Sequence, residues 1–170
     1  SGTAFIKSGL IGAGLAIASV QKAIFGEKKT GNLINKMSFG AYNKPFVAQG
    51  QEFAWLSRDK EQVAKYEADP DCGYALCIGY YHSFFKGVMA MYGEDAGSIR
   101  KDFPVMIAVG SDDPVSSNAK TAYKLNDFYK GLGLNPVLKV YEGARHEILN
   151  ETNNKEVYND FIQFIDKIFA

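Results

Sequence analysis

The sequence predicts an α/β fold with a parallel sheet in its C-terminal part, preceded by a region of helices. Residues 103–170 alternate two short strand-like segments with two amphipathic helical segments. This order of strand, helix, strand and helix implies parallel strands joined by a right-handed crossover. Residues 1–92 lack a clean strand pattern and hold short helical segments, such as 60–67 with Ser57 as a candidate cap. A polar connection at 93–102 separates the two regions.

The first helical segment, residues 10–20, is apolar and rich in Gly and Ala. Lys7 and Lys22 flank it, and it is too short to cross a bilayer, which takes about 20 apolar residues in a helix. We therefore expect no transmembrane segment here. The glycines at positions 9, 12 and 14 do not fit the GxGxxG phosphate loop, so we also expect no nucleotide cofactor. The segment is typical of a small-residue helix packed closely against a neighbour.

The C-terminal elements follow one another through short connections. In order, they are a strand at 103–109, a helix at 118–132, a strand at 137–141 and a helix at 155–169. The first strand is continuously apolar, as expected of a strand buried on both faces. In open α/β sheets, functional residues collect at the C-terminal ends of the strands. The candidate loops are therefore 110–114 and 142–151.

Each of these two loops carries a side chain suited to acid–base chemistry. His146 follows the second predicted strand, and an imidazole in such a loop can act as a base near neutral pH. Asp113 lies 33 residues earlier, after the first strand, where its carboxylate could accept the imidazole N–H and orient the ring. Asp112 is adjacent, and either aspartate could instead form a turn that caps the following helix. We favour Asp113 as the acid and a turn role for Asp112.

Two further polar features have simpler explanations. The segment that begins His146-Glu147 resembles the HExxH zinc motif, but Asn150 replaces the second His, so we expect no metal. Glu147 and Glu151 are better explained as anchors of the loop or as favourable charges at the start of the last helix. His82 lies among aromatic residues and is typical of a packed or pocket-lining histidine.

Charge and cysteine content narrow the classes of partner. The chain has 19 basic and 19 acidic side chains, a net charge of zero, and no run of either sign. The electrostatic attraction that drives binding to nucleic acids or anionic membranes is therefore missing, and a small, weakly charged partner fits better. Cys72 and Cys77 are too far apart for a CxxC redox pair, so we expect two free thiols and a reducing compartment such as the cytoplasm.

Several motifs together resemble one family of hydrolases. The segments 104–109, 110–115 (GSDDPV) and 141–151 (YEGARHEILNE) are similar to the acid and histidine motifs of lysophospholipases, monoacylglycerol lipases and S33-like hydrolases. The segments 35–46 (NKMSFGAYNKPF) and 53–73 (FAWLSRDKEQVAKYEADPDCG) resemble the cap of bacterial members. One departure is Ala54, because family members tend to have Asp at this position. The resemblance runs from about residue 5 to the C-terminus.

This resemblance implies the C-terminal half of an α/β-hydrolase fold with a helical cap. It assigns residues 1–20 to the end of a core strand and the following helix, 21–102 to the cap, and 103–170 to the C-terminal core. Asp113 and His146 map to the acid and the base of a Ser-Asp-His triad. The nucleophilic Ser of such enzymes lies in G-x-S-x-G, which does not occur in this sequence. We therefore expect the Ser on an N-terminal half, in the same protein or on a separate chain, and we expect this chain alone to be inactive.

The resemblance also implies hydrolysis of carboxylic esters of lipophilic acyl groups, without a cofactor. Aromatic and Met side chains of the cap would suit an acyl chain, and the candidates are Phe39, Trp55, Phe84 and Met89. Helix packing explains these four side chains equally well. Two alternatives stay open: a non-catalytic binding domain of the same fold, and hydrolysis of amides or peptides instead of esters.

Overall fold

The structure, a computed structural model, describes residues 8–91 and 94–169. In chain order its α-helices are α1 (Ser8–Phe25), α2 (Asn32–Phe39), α3 (Lys60–Ala68), α4 (Ile78–Ala90), α5 (Lys120–Gly131) and α6 (Asn154–Phe169). Its strands are β1 (Met106–Gly110) and β2 (Val137–Tyr141). Short 3-10 helices cover Lys44–Gln49, Ala54–Leu56, Glu94–Ser98 and Ile148–Asn150.

The two strands form the predicted parallel pair. Met106 lies beside Val137, and Gly110 lies beside Tyr141. Because the strands run in the same direction and in this register, both end at the same edge of the sheet. The loops after Gly110 and Tyr141 therefore leave the sheet side by side. The predicted α/β class and parallel pairing are confirmed.

Helices cover both faces of this small sheet. Successive side chains of a strand point to opposite faces, and the core divides accordingly. On one face, Val109 packs with Ala122 of α5. On the other face, Tyr141 packs with Val157 of α6, which is completely buried. Burying an aliphatic side chain of this size contributes about 2 kcal/mol, so α5 and α6 hold the strands from both sides.

The boundaries of the C-terminal elements differ from the predicted ones for local reasons. The strand at 137–141 is confirmed, but the one predicted at 103–109 begins only at Met106. Pro104 has no N–H to donate to a ladder, and the first ladder bond of the pair runs from Val137 N to Val105 O at 2.9 Å. The helix predicted from 118 begins at Lys120, because the residues before it have a left-handed backbone.

The chain divides into two compact units. One unit contains residues 43–72 together with 99–169, and thus includes the sheet. The other contains residues 8–42, 73–91 and 94–98. The segment 43–72, which the family resemblance assigns to the cap, packs within the sheet-containing unit. The domain boundaries at 20 and 102 stay a prediction, and the core strand expected near residue 1 lies outside the described residues.

In the helical unit, α1 packs closely against α4. Gly14 of α1 faces the Phe85 ring so closely that a Cβ at this position would lie 3.0 Å from it. Ala18, one turn further along α1, is fully buried. The prediction of a small-residue helix against a neighbour is confirmed. No helix in the part of the chain that the structure describes combines the length and apolar character needed to cross a membrane.

In the sheet-containing unit, α3 begins at a side-chain cap. Asp59 Oδ1 accepts hydrogen bonds from Glu61 N at 2.9 Å and from Gln62 N at 3.2 Å. The cap is therefore Asp59, and the prediction of Ser57 is wrong. Ser57 instead accepts a bond from Asp59 N and donates one to Asn150 O at 2.8 Å. It thus links the start of α3 to the loop that follows β2.

Candidate active site

Asp113 lies in the loop after β1, and its own loop fixes its position. The side chain is 1% exposed. Its Oδ1 accepts a hydrogen bond from Val115 N at 2.9 Å. Its backbone oxygen accepts from Ser116 Oγ at 3.0 Å and from Asn118 N at 2.8 Å. These contacts close the loop on itself and hold the carboxylate in one orientation.

The loops after β1 and β2 are joined directly at the sheet edge. Ser111 N donates to Tyr141 O at 2.9 Å, and Gly143 N donates to Ser111 Oγ at 2.7 Å. A Cβ on Gly110 would lie 2.1 Å from Ala144 O, well inside van der Waals contact. Only glycine allows the two loops to approach this closely.

His146 meets Asp113 across these two loops. Its Nδ1 lies 3.1 Å from Asp113 Oδ1, and its side chain is 22% exposed. An ionised carboxylate only accepts hydrogen bonds, so Nδ1 carries the hydrogen and Nε2 is the nitrogen that would exchange a proton with a nucleophile. Within the described residues, the buried Asp113 Oδ2 has no hydrogen-bond partner.

Trp55 covers the imidazole and its segment supports the backbone of the histidine loop. The rings of Trp55 and His146 are 5.3 Å apart at an interplanar angle of 41°. His146 N donates to Trp55 O at 3.5 Å, and Glu147 N donates to Leu56 O at 2.8 Å. The 3-10 turn at Ala54–Leu56 therefore holds His146 through both its ring and its backbone.

The neighbouring aspartate does not share this arrangement. Asp112 is exposed and accepts a bond from Ser111 Oγ at 3.2 Å, whereas Asp113 is the aspartate that contacts His146. Neither caps α5, whose N-cap residue is Ala119 and which has no side-chain cap bond. In the part of the chain that the structure covers, no group of three or more His, Cys, Asp or Glu side chains is arranged to hold a metal ion.

The four predicted acyl-chain residues fall in both units. The structure brings Trp55, which is 9% exposed, to His146. Phe39, Phe84 and Met89 belong to the helical unit and are 43%, 39% and 49% exposed. Their role stays a prediction.

Two cavities lie along β1, and neither is lined by Asp113 or His146. One of about 770 Å³ lies around Pro104 and Met106, at the start of the strand. The other, of about 190 Å³, lies between β1 and α6 and is apolar, with Ala108 and Phe161 in its walls. Neither is lined by a predicted site residue.

An ion pair between a buried carboxylate of the histidine loop and a partly exposed arginine was not predicted from the sequence. Glu151 is 1% exposed and pairs with Arg58, with 2.9 Å between Oε2 and Nε. The interpretation of Glu151 as an anchor of the loop is confirmed, because its Oε1 accepts from Arg145 N at 2.8 Å. The contribution of Arg58 was missed because it lies 93 residues from Glu151, and no local pattern joins them.

The chain matches the family model described as serine aminopeptidase, S33, over residues 5–153. Among solved structures it is similar to a lipase in an open form, with 19% identity and a TM-score of 0.81 over 98% of this chain and 55% of that one. A thermostable carboxyl esterase from Bacillus coagulans, in complex with glycerol, has 23% identity and a TM-score of 0.83 over 94% of this chain and 53% of that one. A soluble variant of monoglyceride lipase from Saccharomyces cerevisiae, with a substrate analogue, has 23% identity and a TM-score of 0.61 over 90% of this chain and 48% of that one. No curated protein sequence matches the chain.

These similarities concern most of this chain but only part of its relatives. The chain spans about half the length of the solved structures it matches. The resemblance drawn from the acid and histidine motifs is confirmed for the S33 family and for the α/β-hydrolase fold. The chain belongs to the serine aminopeptidase S33 family and adopts part of an α/β-hydrolase fold.

Proposed function

We propose that this chain supplies the base and its orienting acid to a serine hydrolase that cleaves carboxylic esters of lipophilic acyl groups. The observation that carries the proposal is the contact of 3.1 Å between His146 Nδ1 and the buried Asp113 carboxylate. A buried carboxylate on one imidazole nitrogen fixes the tautomer, so the other nitrogen is available for proton transfer. The nucleophilic Ser belongs to a complementary N-terminal half, in the same protein or on a separate chain.

The reaction proceeds in two acyl-transfer steps. His146 Nε2 takes the proton of the Ser hydroxyl as Ser Oγ bonds to the ester carbonyl carbon, and the imidazolium then protonates the departing alcohol. A water molecule next gives its proton to Nε2 and attacks the acyl-enzyme, which releases the acid and restores the Ser hydroxyl. Asp113 stays ionised throughout and stabilises the imidazolium.

The acyl chain is assigned to apolar side chains of the helical region. Phe39, Phe84 and Met89 are partly exposed apolar side chains of the helical unit, and apolar and aromatic side chains line most ligand pockets. The names of the related structures are consistent with an acyl substrate, since they include a lipase and a monoglyceride lipase. Trp55 is buried, so we assign it chiefly to holding the imidazole.

A second candidate function is hydrolysis of peptides or amides. One observation favours it: the matching family model is described as a serine aminopeptidase. An acid–base pair such as Asp113 and His146 serves ester and amide cleavage equally, because the leaving group is selected by the pocket. The two functions therefore differ in substrate but not in this part of the machinery.

Labelling with a fluorophosphonate probe tests the triad. We expect the complete gene product to be labelled and the His146→Ala variant to lose at least about 100-fold in labelling rate. His82→Ala is the matched control, since His82 is the only other histidine in this sequence, and it should keep the original rate. This chain alone should not be labelled. A folded, complete protein that resists the probe would instead support the non-catalytic binding domain.

Substrate competition separates the ester and amide functions. Monooleoylglycerol, lysophosphatidylcholine and an aminoacyl p-nitroanilide are offered at equal concentration to the complete gene product that has not been treated with the probe. We expect kcat/KM for the two lipid esters to exceed that for the anilide by at least about 100-fold, a discrimination that pocket contacts can supply. A higher kcat/KM for the anilide than for the two lipid esters would instead establish hydrolysis of peptides or amides.

We also propose a reducing compartment such as the cytoplasm. Cys72 and Cys77 are both free, and Cys77 is exposed. Exposed thiols persist where glutathione and thioredoxin keep cysteines reduced.

A further inference from the structure

Three successive backbone amides of the histidine loop are each hydrogen-bonded, the first to a side chain at the end of the same loop and the next two to a segment about 90 residues earlier. Arg145 N donates to Glu151 Oε1 at 2.8 Å. The next two amides, of His146 and Glu147, donate to the backbone oxygens of Trp55 and Leu56 at 3.5 and 2.8 Å. The backbone conformation of the loop thus depends on the segment around Trp55 at His146 and Glu147, and on Glu151 at Arg145.

One carboxylate joins that segment to the loop. Glu151 Oε1 also accepts from Arg58 N at 3.1 Å, so a single oxygen binds the residue before His146 and the residue two after Leu56. The second oxygen, Oε2, accepts from Arg58 Nε at 2.9 Å and from Thr152 N at 3.1 Å. Four donors therefore surround a carboxylate that is 1% exposed.

The two arginines extend the same junction. Arg58 Nη2 donates to Asn153 Oδ1 at 2.9 Å. Arg145 Nη1 donates to Gln49 Oε1 and to the backbone oxygens of Ala54 and Ser57, and its guanidinium lies 4.0 Å above the Phe46 ring. Burial lowers the pKa of Arg145, while the charge of Glu151 opposes this shift. Every one of these bonds joins the stretch 46–58 to the stretch 145–153.

We propose that Glu151 is a positioning residue for His146, acting by locking the backbone segment of Trp55, Leu56 and Arg58 onto the histidine loop. This proposal rests on the proposed role of His146 as the base. Glu151 does not touch the imidazole, and it acts through the amide of Arg145 and through the two carbonyls that hold His146 and Glu147. The segment that resembles the hydrolase cap is, at residues 54–58, part of the support of the base.

The Glu151→Gln variant separates positioning from simple stability. The amide group keeps the size of the side chain but replaces one carboxylate oxygen by an NH₂ group, which cannot accept a hydrogen bond. In place of Oε2 it faces the donors Arg58 Nε and Thr152 N, and in place of Oε1 it faces Arg145 N and Arg58 N. A misplacement of a catalytic group by about 1 Å can lower the rate by about 100-fold. We therefore expect kcat for a short-chain p-nitrophenyl ester to fall by about 10- to 100-fold, while KM changes by less than about threefold.

The spectroscopic readout is the low-field proton on His146 Nδ1. In the complete gene product this resonance is assigned by its loss in His146→Ala. We expect it to shift or broaden in Glu151→Gln, because the distance to Asp113 Oδ1 changes. Glu142→Gln is the matched control: it makes the same charge change in the same loop, at an exposed position, and should leave both kcat and the resonance unchanged.

The outcomes distinguish this proposal from the proposed function. A folded Glu151→Gln variant with the original kcat and resonance overturns the positioning role, even if its melting temperature falls. If the wild-type protein does not hydrolyse esters, the proposed function fails, and the resonance alone decides the positioning role. If Glu151→Gln does not fold, Arg58→Lys is measured in its place. A loss of kcat smaller than that expected for Glu151→Gln, together with a shifted His146 resonance, supports the proposal. An unchanged kcat and an unchanged resonance overturn it.

Discussion

At the residue scale, Gly110 determines how closely the two functional loops approach. Its missing Cβ leaves room for Ala144 O, which a methyl group would meet at 2.1 Å. We expect Gly110→Ala to lower the free energy of unfolding by roughly 2–3 kcal/mol, because the loop backbone must move to relieve the overlap. Urea unfolding of the complete protein measures this change.

Gly131→Ala provides the matched comparison. Gly131 is the last residue of α5, and a Cβ there would meet nothing within 4 Å. Alanine should raise the free energy of unfolding by up to about 1 kcal/mol, since it favours the helix over the unfolded chain. Equal effects of the two substitutions would show that the close approach at Gly110 does not limit stability.

The acid–base pair could be predicted from the sequence, but its support could not. Asp113 and His146 each follow a strand, and parallel strands place such loops side by side. Glu151 could be identified only as a local anchor, since its partner Arg58 lies 93 residues away. Pairing of that kind depends on tertiary packing, which neither periodicity nor a short motif records.

At the element scale, a left-handed turn sets the start of α5. Ser117, Asn118 and Ala119 have φ values of 54°, 57° and 63°, a conformation that Asn tolerates but that costs Ser and Ala about 1–2 kcal/mol each. The turn also delivers Asn118 N to Asp113 O at 2.8 Å. The strained turn therefore supplies one of the hydrogen bonds that fix the position of Asp113.

Substitution of Ser117, which is exposed, should relieve part of this strain. We expect Ser117→Gly to raise the free energy of unfolding by about 0.5–1 kcal/mol, the relief of strain less the larger entropy of glycine in the unfolded chain. Ser117→Ala keeps the Cβ and should leave stability nearly unchanged. Thermal unfolding of the two variants side by side measures the difference. A stabilisation by Ala equal to that by Gly would mean that the hydroxyl, and not the backbone, is responsible.

The same turn explains why sequence patterns located β2 better than the start of α5. β2 coincides with the alternating segment 137–141, because alternation follows from the geometry of a strand. The apolar pattern of α5 extends back to Ala119, yet this residue is left-handed and is buried by packing against Val109. Periodicity reports that a side chain is buried and does not report the backbone conformation that buries it.

At the scale of the whole molecule, the family resemblance and the packing describe different divisions of the chain. The resemblance groups residues 21–102 as a cap, whereas residues 43–72 pack with the sheet. The contacts among Arg58, Arg145 and Glu151 contribute to this packing within the sheet-containing unit. Segments that follow one another in sequence therefore need not share a core, and composition alone does not reveal which core they join.

Global stability at alkaline pH should report on the core around β2. Tyr141 is 3% exposed and donates to Asp160 Oδ2 at 3.1 Å. Burial raises the pKa of Tyr141, and the hydrogen bond and charge of Asp160 add to this effect. Its pKa in the folded protein is thus above the value of about 10 in the unfolded chain. The unfolded chain loses this proton first as the pH rises, so the stabilisation is complete below pH about 10 and declines above it.

Tyr141→Phe tests this linkage. At pH 8 we expect the variant to be less stable than the wild type by about 1 kcal/mol, the usual net contribution of a hydrogen bond. Above pH 10 the wild type should lose up to about 1.4 kcal/mol per pH unit through this group, a dependence that Phe lacks, so the two unfolding free energies should converge. Tyr158→Phe, which removes a more exposed tyrosine of α6, is the control. A difference between wild type and Tyr141→Phe that stays constant from pH 8 to 11 would show that Tyr141 does not titrate differently in the two states.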